Sequence, residues 1–181
     1  MNWYIADTHF FHKNIIRYCD RPFNDVEEMN NAMIENWNKK VKKSDSVYIL
    51  GDFAFCNGPT ANELLDKLNG KKFLIKGNHD LFLEYKSFDQ SKFEWVKDYA
   101  EISDHNTLVI LCHYPIASWK KKRRHSIHLH GHMHNKGHRG EFNIDGYIMN
   151  VGADLTDFAP ISFKKILNHL NWQPCLTDEK D

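Results

Sequence analysis

Apolar residues recur along this chain with two periods, and the changes of period divide it into elements. Asn2 to Ala6 is an apolar-rich run of strand length. After Asn24 the pattern turns helical: Val26, Met29, Met33, Trp37 and Val41 recur every three or four residues and define one apolar face. Asn24 is placed to cap this helix, with Glu27 as the capping-box carboxylate. Ser46 to Leu50 predicts a second strand. Thr60, followed by Glu63, predicts the cap of a short helix that turns Leu64, Leu65 and Leu68 inward and ends at Asn69-Gly70. Lys72 to Lys76 predicts a third strand. Further strands are expected near Trp95–Ile102, Thr107–Cys112, Ile127–His130, Glu141–Ile144 and Tyr147–Val151. Ser162 is expected to cap a last helix with Phe163, Ile166, Leu167 and Leu170 on its apolar face. Strand and helix alternate in the first half, and strands dominate the second. The pattern predicts an α/β domain of two sheets with helices outside, spanning 1–172, and a loose tail over 173–181.

Composition narrows the partners. The 181 residues suit one domain, and 24 basic against 24 acidic side chains give no net charge. The surface as a whole is therefore no trap for nucleic acid or membrane. A hydrophobic content of 41% is enough for a core and excludes disorder outside the ends. Cys19, Cys56, Cys112 and Cys175 form no CxxC pair, which argues against a thiolate zinc site or a disulfide framework. Reduced thiols, the absence of a basic-then-apolar leader before Asn2, and the absence of an apolar run near ~20 residues point to a soluble cytoplasmic protein. The unusual count is twelve histidines, the commonest metal ligands and proton carriers near neutral pH.

Five of those histidines stand at strand ends. The first strand ends in Asp7-Thr8-His9 and the second in Gly51-Asp52. The third ends in Gly77-Asn78-His79-Asp80, and the strand through Cys112 in His113-Tyr114-Pro115. Ile127–His130 ends in Gly131-His132-Met133-His134. Ligands bind beyond the carboxyl ends of strands in open α/β sheets, so these groups would converge on one rim. Converged, they are two Asp, four His and one Asn beside a further His-Asp pair. So many carboxylates and imidazoles cannot share a pocket cheaply, and metal ions remove the difficulty. Donors without thiolate suit Mn, Fe, Zn, Co or Ni. Seven donors exceed the need of one tetrahedral ion, and two ions sharing a carboxylate fit the count better.

In this order the five motifs resemble those of the calcineurin-like metallophosphoesterases, over residues 1 to about 155. The opening ADTHFFHKNIIRYCDRPF further resembles a compact bacterial and phage-type branch. The resemblance implies a four-layer α/β/β/α sandwich with two mixed sheets. It implies that Asp7, His9 and His134 hold one ion, that Asn78, His113 and His132 hold the other, and that Asp52 bridges them. The cofactors would be two divalent ions, Mn2+ foremost. A metal-bridging hydroxide would attack phosphorus, with His79 as acid or phosphoryl stabiliser and Asp80 orienting His79. Asp80 could instead cap the following turn.

Other residues carry competing readings. His12, Arg17 and Arg21 follow the first motif and could reach substrate phosphate, or could belong to a solvated loop and helix face. Tyr114 and Trp119 could stack on a base or pack within their loop. Alternation alone does not settle which way His130 points. Cys56 and Cys112 read as packing. Lys120 to Arg124, with His125 and His128 after, could hold a nucleotide or nucleic-acid strand, or be a solvated loop. The expected function is phosphoester hydrolysis, with a phosphodiester favoured because so short a chain leaves little room for a capping domain. The alternatives are a phosphomonoesterase acting on nucleotides or phosphoprotein, and a nucleic-acid-binding module built on Lys120–Arg124.

Overall fold

A computed structural model of the chain describes residues 1–123, 126–136 and 144–172. In chain order its strands are β1 (Asn2–Ile5), β2 (Ser46–Leu50), β3 (Lys71–Ile75), β4 (Trp95–Lys97), β5 (Tyr99–Asp104), β6 (Thr107–Cys112), β7 (Ser126–His130), β8 (Tyr147–Asn150) and β9 (Ile161–Ser162). The helices are α1 (Lys13–Tyr18), α2 (Val26–Lys40), α3 (Gly58–Lys67) and α4 (Phe163–His169).

One sheet has the order β4-β3-β2-β1-β9, and the other β5-β6-β7-β8. Both are mixed: β9 runs antiparallel to β1, and β5 antiparallel to β6, while the remaining pairs are parallel. Strand alternation sends Val47 and Ile49 to one face of the first sheet and Tyr48 and Leu50 to the other. Met29, Met33 and Trp37 of α2, with Leu64 and Leu65 of α3, cover the outer face against Val47, Ile49 and Leu74. Between the sheets lie Tyr4, Leu50 and Ile75 from one side and Val109, Leu111, Ile127 and Leu129 from the other, closed by Phe163 and Ile166 of α4. The Tyr4 hydroxyl donates to Asp104 at 2.7 Å and ties β1 to β5 across this layer. These are the two mixed sheets and flanking helices of the expected sandwich. Over the outer face of β6 and β7 lies the loop after β6, where the Ile116 N–H donates to His128 and Trp119 donates to Ser126.

Register decides where the site can form. Ile5 pairs with Ile49, and Leu50 with Ile75, so β1, β2 and β3 end nearly level. The two sheets touch just beyond β1: the Ala6 N–H donates to Val151 and Ala6 accepts from the Ala153 N–H. That contact sets the carboxyl ends of β1, β2 and β3 beside those of β6 and β7.

Several element ends differ from expectation. Asp25, not Asn24, caps α2 and accepts the Glu28 N–H, while the Glu28 carboxylate accepts from Asn24. The cap moves on by one residue, which puts a charged carboxylate at the helix N-terminus, and Glu28 holds the N–H of the residue before the cap. Asn57 rather than Thr60 caps α3, because Pro59 fits the first turn and the helix starts earlier than its apolar face. Ser162 stands at the N-cap of α4 without a side-chain bond. The run Trp95–Ile102 is two strands in different sheets, broken at Asp98. Helix α1 had no periodic signal. Residues 141–143 of the expected Glu141–Ile144 strand, Arg124, His125 and the 173–181 tail lie outside the described residues. Among the described residues no helix is long and apolar enough to cross a membrane.

Candidate metal centre

The loops that leave the strands are held by their own backbone. The Asp7 N–H donates to Gly51, the His9 N–H to Asp52 and the Phe10 N–H to Phe53, so the first two motifs run side by side. Asp7, His9, Asp52, His132 and His134 all have φ between 49° and 69°. Side-chain-bearing residues seldom adopt this left-handed conformation, and it clusters where function demands it. The neighbouring glycines are there for room. A Cβ at Gly77 would overlap the Asp52 carboxylate, and one at Gly131 would stand 2.7 Å from Asp7 Oδ2.

These loops bring two sets of three donors together. One is Asp7, His9 and His134, and the other is Asp52, His113 and His132, each with its ligand atoms within 4.8 Å of one another. Asp52 Oδ2 lies between them, 3.5 Å from His9 Nε2 and 3.6 Å from His113 Nε2. Asn78 joins the second set, its Oδ1 3.1 Å from His113 Nε2. Asp7 Oδ2 and His9 Nε2 are buried with no hydrogen-bond partner. Buried polar atoms normally have one, and an orphaned carboxylate oxygen and imidazole nitrogen in one donor set fit a divalent cation.

The electrostatics agree. Burial pushes Asp7 up to about 7, against the opposing pull of His134 and of the His132 N–H. Burial, reinforced by the charges of His134 and Arg21, pushes His9 down to about 2 and keeps its imidazole neutral, the form that binds metal. Burial likewise lowers His113 and His132. His134 moves the other way, up to about 10: burial opposes its charge, but the bonds to Asp154 and Cys19 and the proximity of Asp7 outweigh it.

The remaining expected residues divide. His79 is exposed at the rim, its N–H bonded to Asp52 Oδ1 at 2.9 Å and its ring 5.6 Å from that of His9. Asp80 does not orient it. The buried Asp80 carboxylate accepts the N–H groups of Gly77, Asp52 and Phe53 at 2.7 to 3.1 Å, so it braces the loop backbone instead. Arg21 is also no substrate ligand. It is buried, and its donors go to Asp154, Asp7 O, Thr8 O and the Met29 sulfur. Arg17 is exposed over Tyr18, and His12 meets His9 through their Nδ1 atoms at 3.3 Å. Tyr114 is exposed with its hydroxyl 3.4 Å from Asn78 Oδ1, whereas Trp119 is buried in its loop. His130 is buried, with Nδ1 2.8 Å from Gly131 O. Cys56 and Cys112 join neither set.

Asp154 is the residue the sequence reading missed. Its Oδ2 lies 2.9 Å from His134 Nδ1, while Arg21 holds both oxygens. It engages Nδ1 of the His134 ring and so leaves Nε2 for a ligand, the carboxylate–histidine arrangement common at metal sites. Cys19 lies near the same pair, but Asp154 is fully committed to Arg21 and His134. A signal existed: Gly152-Ala153-Asp154 follows a strand just as the five motifs do.

The sequence profile of the calcineurin-like phosphoesterases matches residues 3–104. An uncharacterized protein of Methanocaldococcus jannaschii is 38% identical over 168 residues, covering 90% of this chain and 87% of that protein. The Gene 66 protein of Mycobacterium phage L5 is 26% identical, covering 74% and 77% respectively. A crystal structure of a protein of unknown function from Aquifex aeolicus superposes with a TM-score of 0.73 at 27% identity, over 93% of this chain and 98% of that one.

Proposed function

From the premise that this chain belongs to the calcineurin-like phosphoesterases, a family of metal-dependent phosphoester hydrolases, we propose that it is a phosphodiesterase with a two-metal centre. The observation that carries the reading is the position of Asp52 Oδ2 between His9 and His113, one donor set on either side. Asp7, His9 and His134 would hold one cation, Asn78, His113 and His132 the other, and Asp52 both; Mn2+ suits these donors, as do Fe, Zn, Co and Ni. Cations bound there would supply Lewis acidity, offsetting phosphate charge and making water a better nucleophile.

The chain's own part is placement and proton supply. His79, exposed at the rim with its backbone pinned by Asp52, reaches the leaving oxygen and protonates it or bonds the phosphoryl oxygens. The rim favours diesters over small monoesters, since Asn78, His79 and Tyr114 are exposed beside the donors. In the basic loop, Lys120 bonds Glu101 at 2.6 Å, and Lys122 bonds Asp145 and lies 5.0 Å over the Trp119 ring, so these two cations have partners within the chain.

The test is turnover of bis-p-nitrophenyl phosphate and p-nitrophenyl phosphate by chelated and Mn-restored protein, with bound metal counted by mass spectrometry. Two ions per chain, activity only after Mn, and a diester preference are expected. A monoester preference would move the protein to the phosphatase alternative, and full activity of chelated protein would end the metal reading.

A further inference from the structure

Three large apolar side chains that stand out in solvent meet at one place. Phe55 is 47% exposed, Leu81 52% and Tyr85 49%, and with His79 and Cys56 they line an open cleft of about 300 Å3. Scattered exposed hydrophobes need no explanation, but a concave cluster does. The cleft is also preformed. The Phe55 N–H donates to Phe10 O at 2.8 Å, and its ring stacks on His12 with centroids 4.6 Å apart and planes 21° apart. Beneath the loop, Phe53 packs edge-on against buried Phe82, one residue after Leu81. Burial pushes the Cys56 thiol up to about 11, so it adds no charge to the lining.

His79 belongs to both places. It lines the cleft, and its N–H is bonded to Asp52 of the donor cluster. His79 thus stands between the donor cluster and the part of the cleft lined by Phe55 and Tyr85. Resting on the phosphodiesterase reading, we propose that this cleft binds a planar aromatic ring on the substrate's ester arm, of the nucleobase class, and selects nucleoside phosphate esters over aliphatic ones. The walls are themselves rings, which stack on any base face without reading its edges. The volume is at the low end for ligand pockets, room for one ring system.

Calorimetry of the Mn-loaded protein with adenosine 5′-monophosphate and with ribose 5-phosphate isolates the ring, since the two share sugar and phosphate. The nucleotide should bind about tenfold or more tightly. Tyr85→Ala and Phe55→Ala should each bring the two ligands within about threefold while leaving ribose 5-phosphate binding unchanged. Both residues are half exposed, so neither change threatens the fold. Equal binding of the two ligands by the wild-type protein, or a preference that survives both variants, would overturn the ring cleft alone. Failure of both ligands to bind the loaded protein would instead remove the reading of the centre as a phosphoester site, and the cleft proposal with it.

Discussion

His134 shows what a single residue owes to its surroundings. Its backbone sits at a φ of 49°, and Asp154 takes Nδ1 and leaves Nε2 for a cation. Asp154→Asn keeps the shape but loses the charge that fixes the ring. Metal affinity should fall by about 10–100-fold, read by Mn titration, with the fold intact by circular dichroism. An unchanged affinity would mean that the 2.9 Å contact does not orient His134. His79 calls for the opposite result. His79→Ala should bind two ions as the wild type does, yet lose about 10²–10⁴-fold in rate on esters with poor leaving groups and much less on p-nitrophenyl esters. Equal losses on both classes would rule out proton donation. Asp80 belongs with the positioning residues, because its carboxylate touches only backbone N–H groups.

At the scale of elements, the strands end level and the loops after them cross in contact. Gly77 sits where the third motif passes the second, with no space for a methyl beside Asp52. Gly77→Ala should therefore push Asp52 aside and abolish Mn binding at the bridging position, seen as less than two ions per chain by mass spectrometry. Full occupancy would show that the loops can part. Helix α2 has a different task. Trp37 is 1% exposed, packs in the outer core and donates to Asn69 O at 2.9 Å. Trp37→Ala should cost about 3–5 kcal/mol in urea unfolding, because a large cavity opens and a carbonyl loses its donor. The turn Asn69-Gly70 that Trp37 supports leads straight into β3, so this variant should also loosen the third motif.

Across the whole molecule, the centre joins the two sheets. Asp7, His9 and Asp52 follow strands of one, and His113, His132 and His134 follow strands of the other. Cations bound between them should stabilise the fold, by about 2.7 kcal/mol at 100 times Kd. Chelation should then lower Tm by roughly 5–10 °C for a chain of this size, and an unmoved Tm would argue against a centre that spans the sheets. Protons act on the fold separately through His128. Its ring is buried between Ile110 O, the Ile116 N–H, Trp119 and His130, and burial pushes it down to about 4. The folded state binds this proton less readily than the unfolded chain. The stability it contributes is present above about pH 6.5 and is lost as pH falls toward 4, by roughly 3 kcal/mol at the lower limit. In chelated protein, His128→Gln should flatten the dependence of the unfolding midpoint on pH across this window relative to wild type. Parallel curves would place the titration elsewhere.

Much of this was legible in the residues. Apolar periodicity located β1, β2, β3, β6, β7 and α2, because burial of one face is a local, repeating demand. The polar strand ends stood out because nothing in packing rewards them. Three matters needed the tertiary structure. Arg21 looked like a phosphate ligand, yet its guanidinium is held by Asp154, 133 residues away, and by carbonyls of the first motif. Asp80 looked like a partner for His79, but the turn aims its carboxylate at backbone. The split of Trp95–Ile102 between two sheets depends on which strand each half pairs with. The sequence by itself determined which residues are donors and that they end strands. Which imidazole a carboxylate orients, and which cation turns inward, follow from contacts between distant segments that no local pattern encodes.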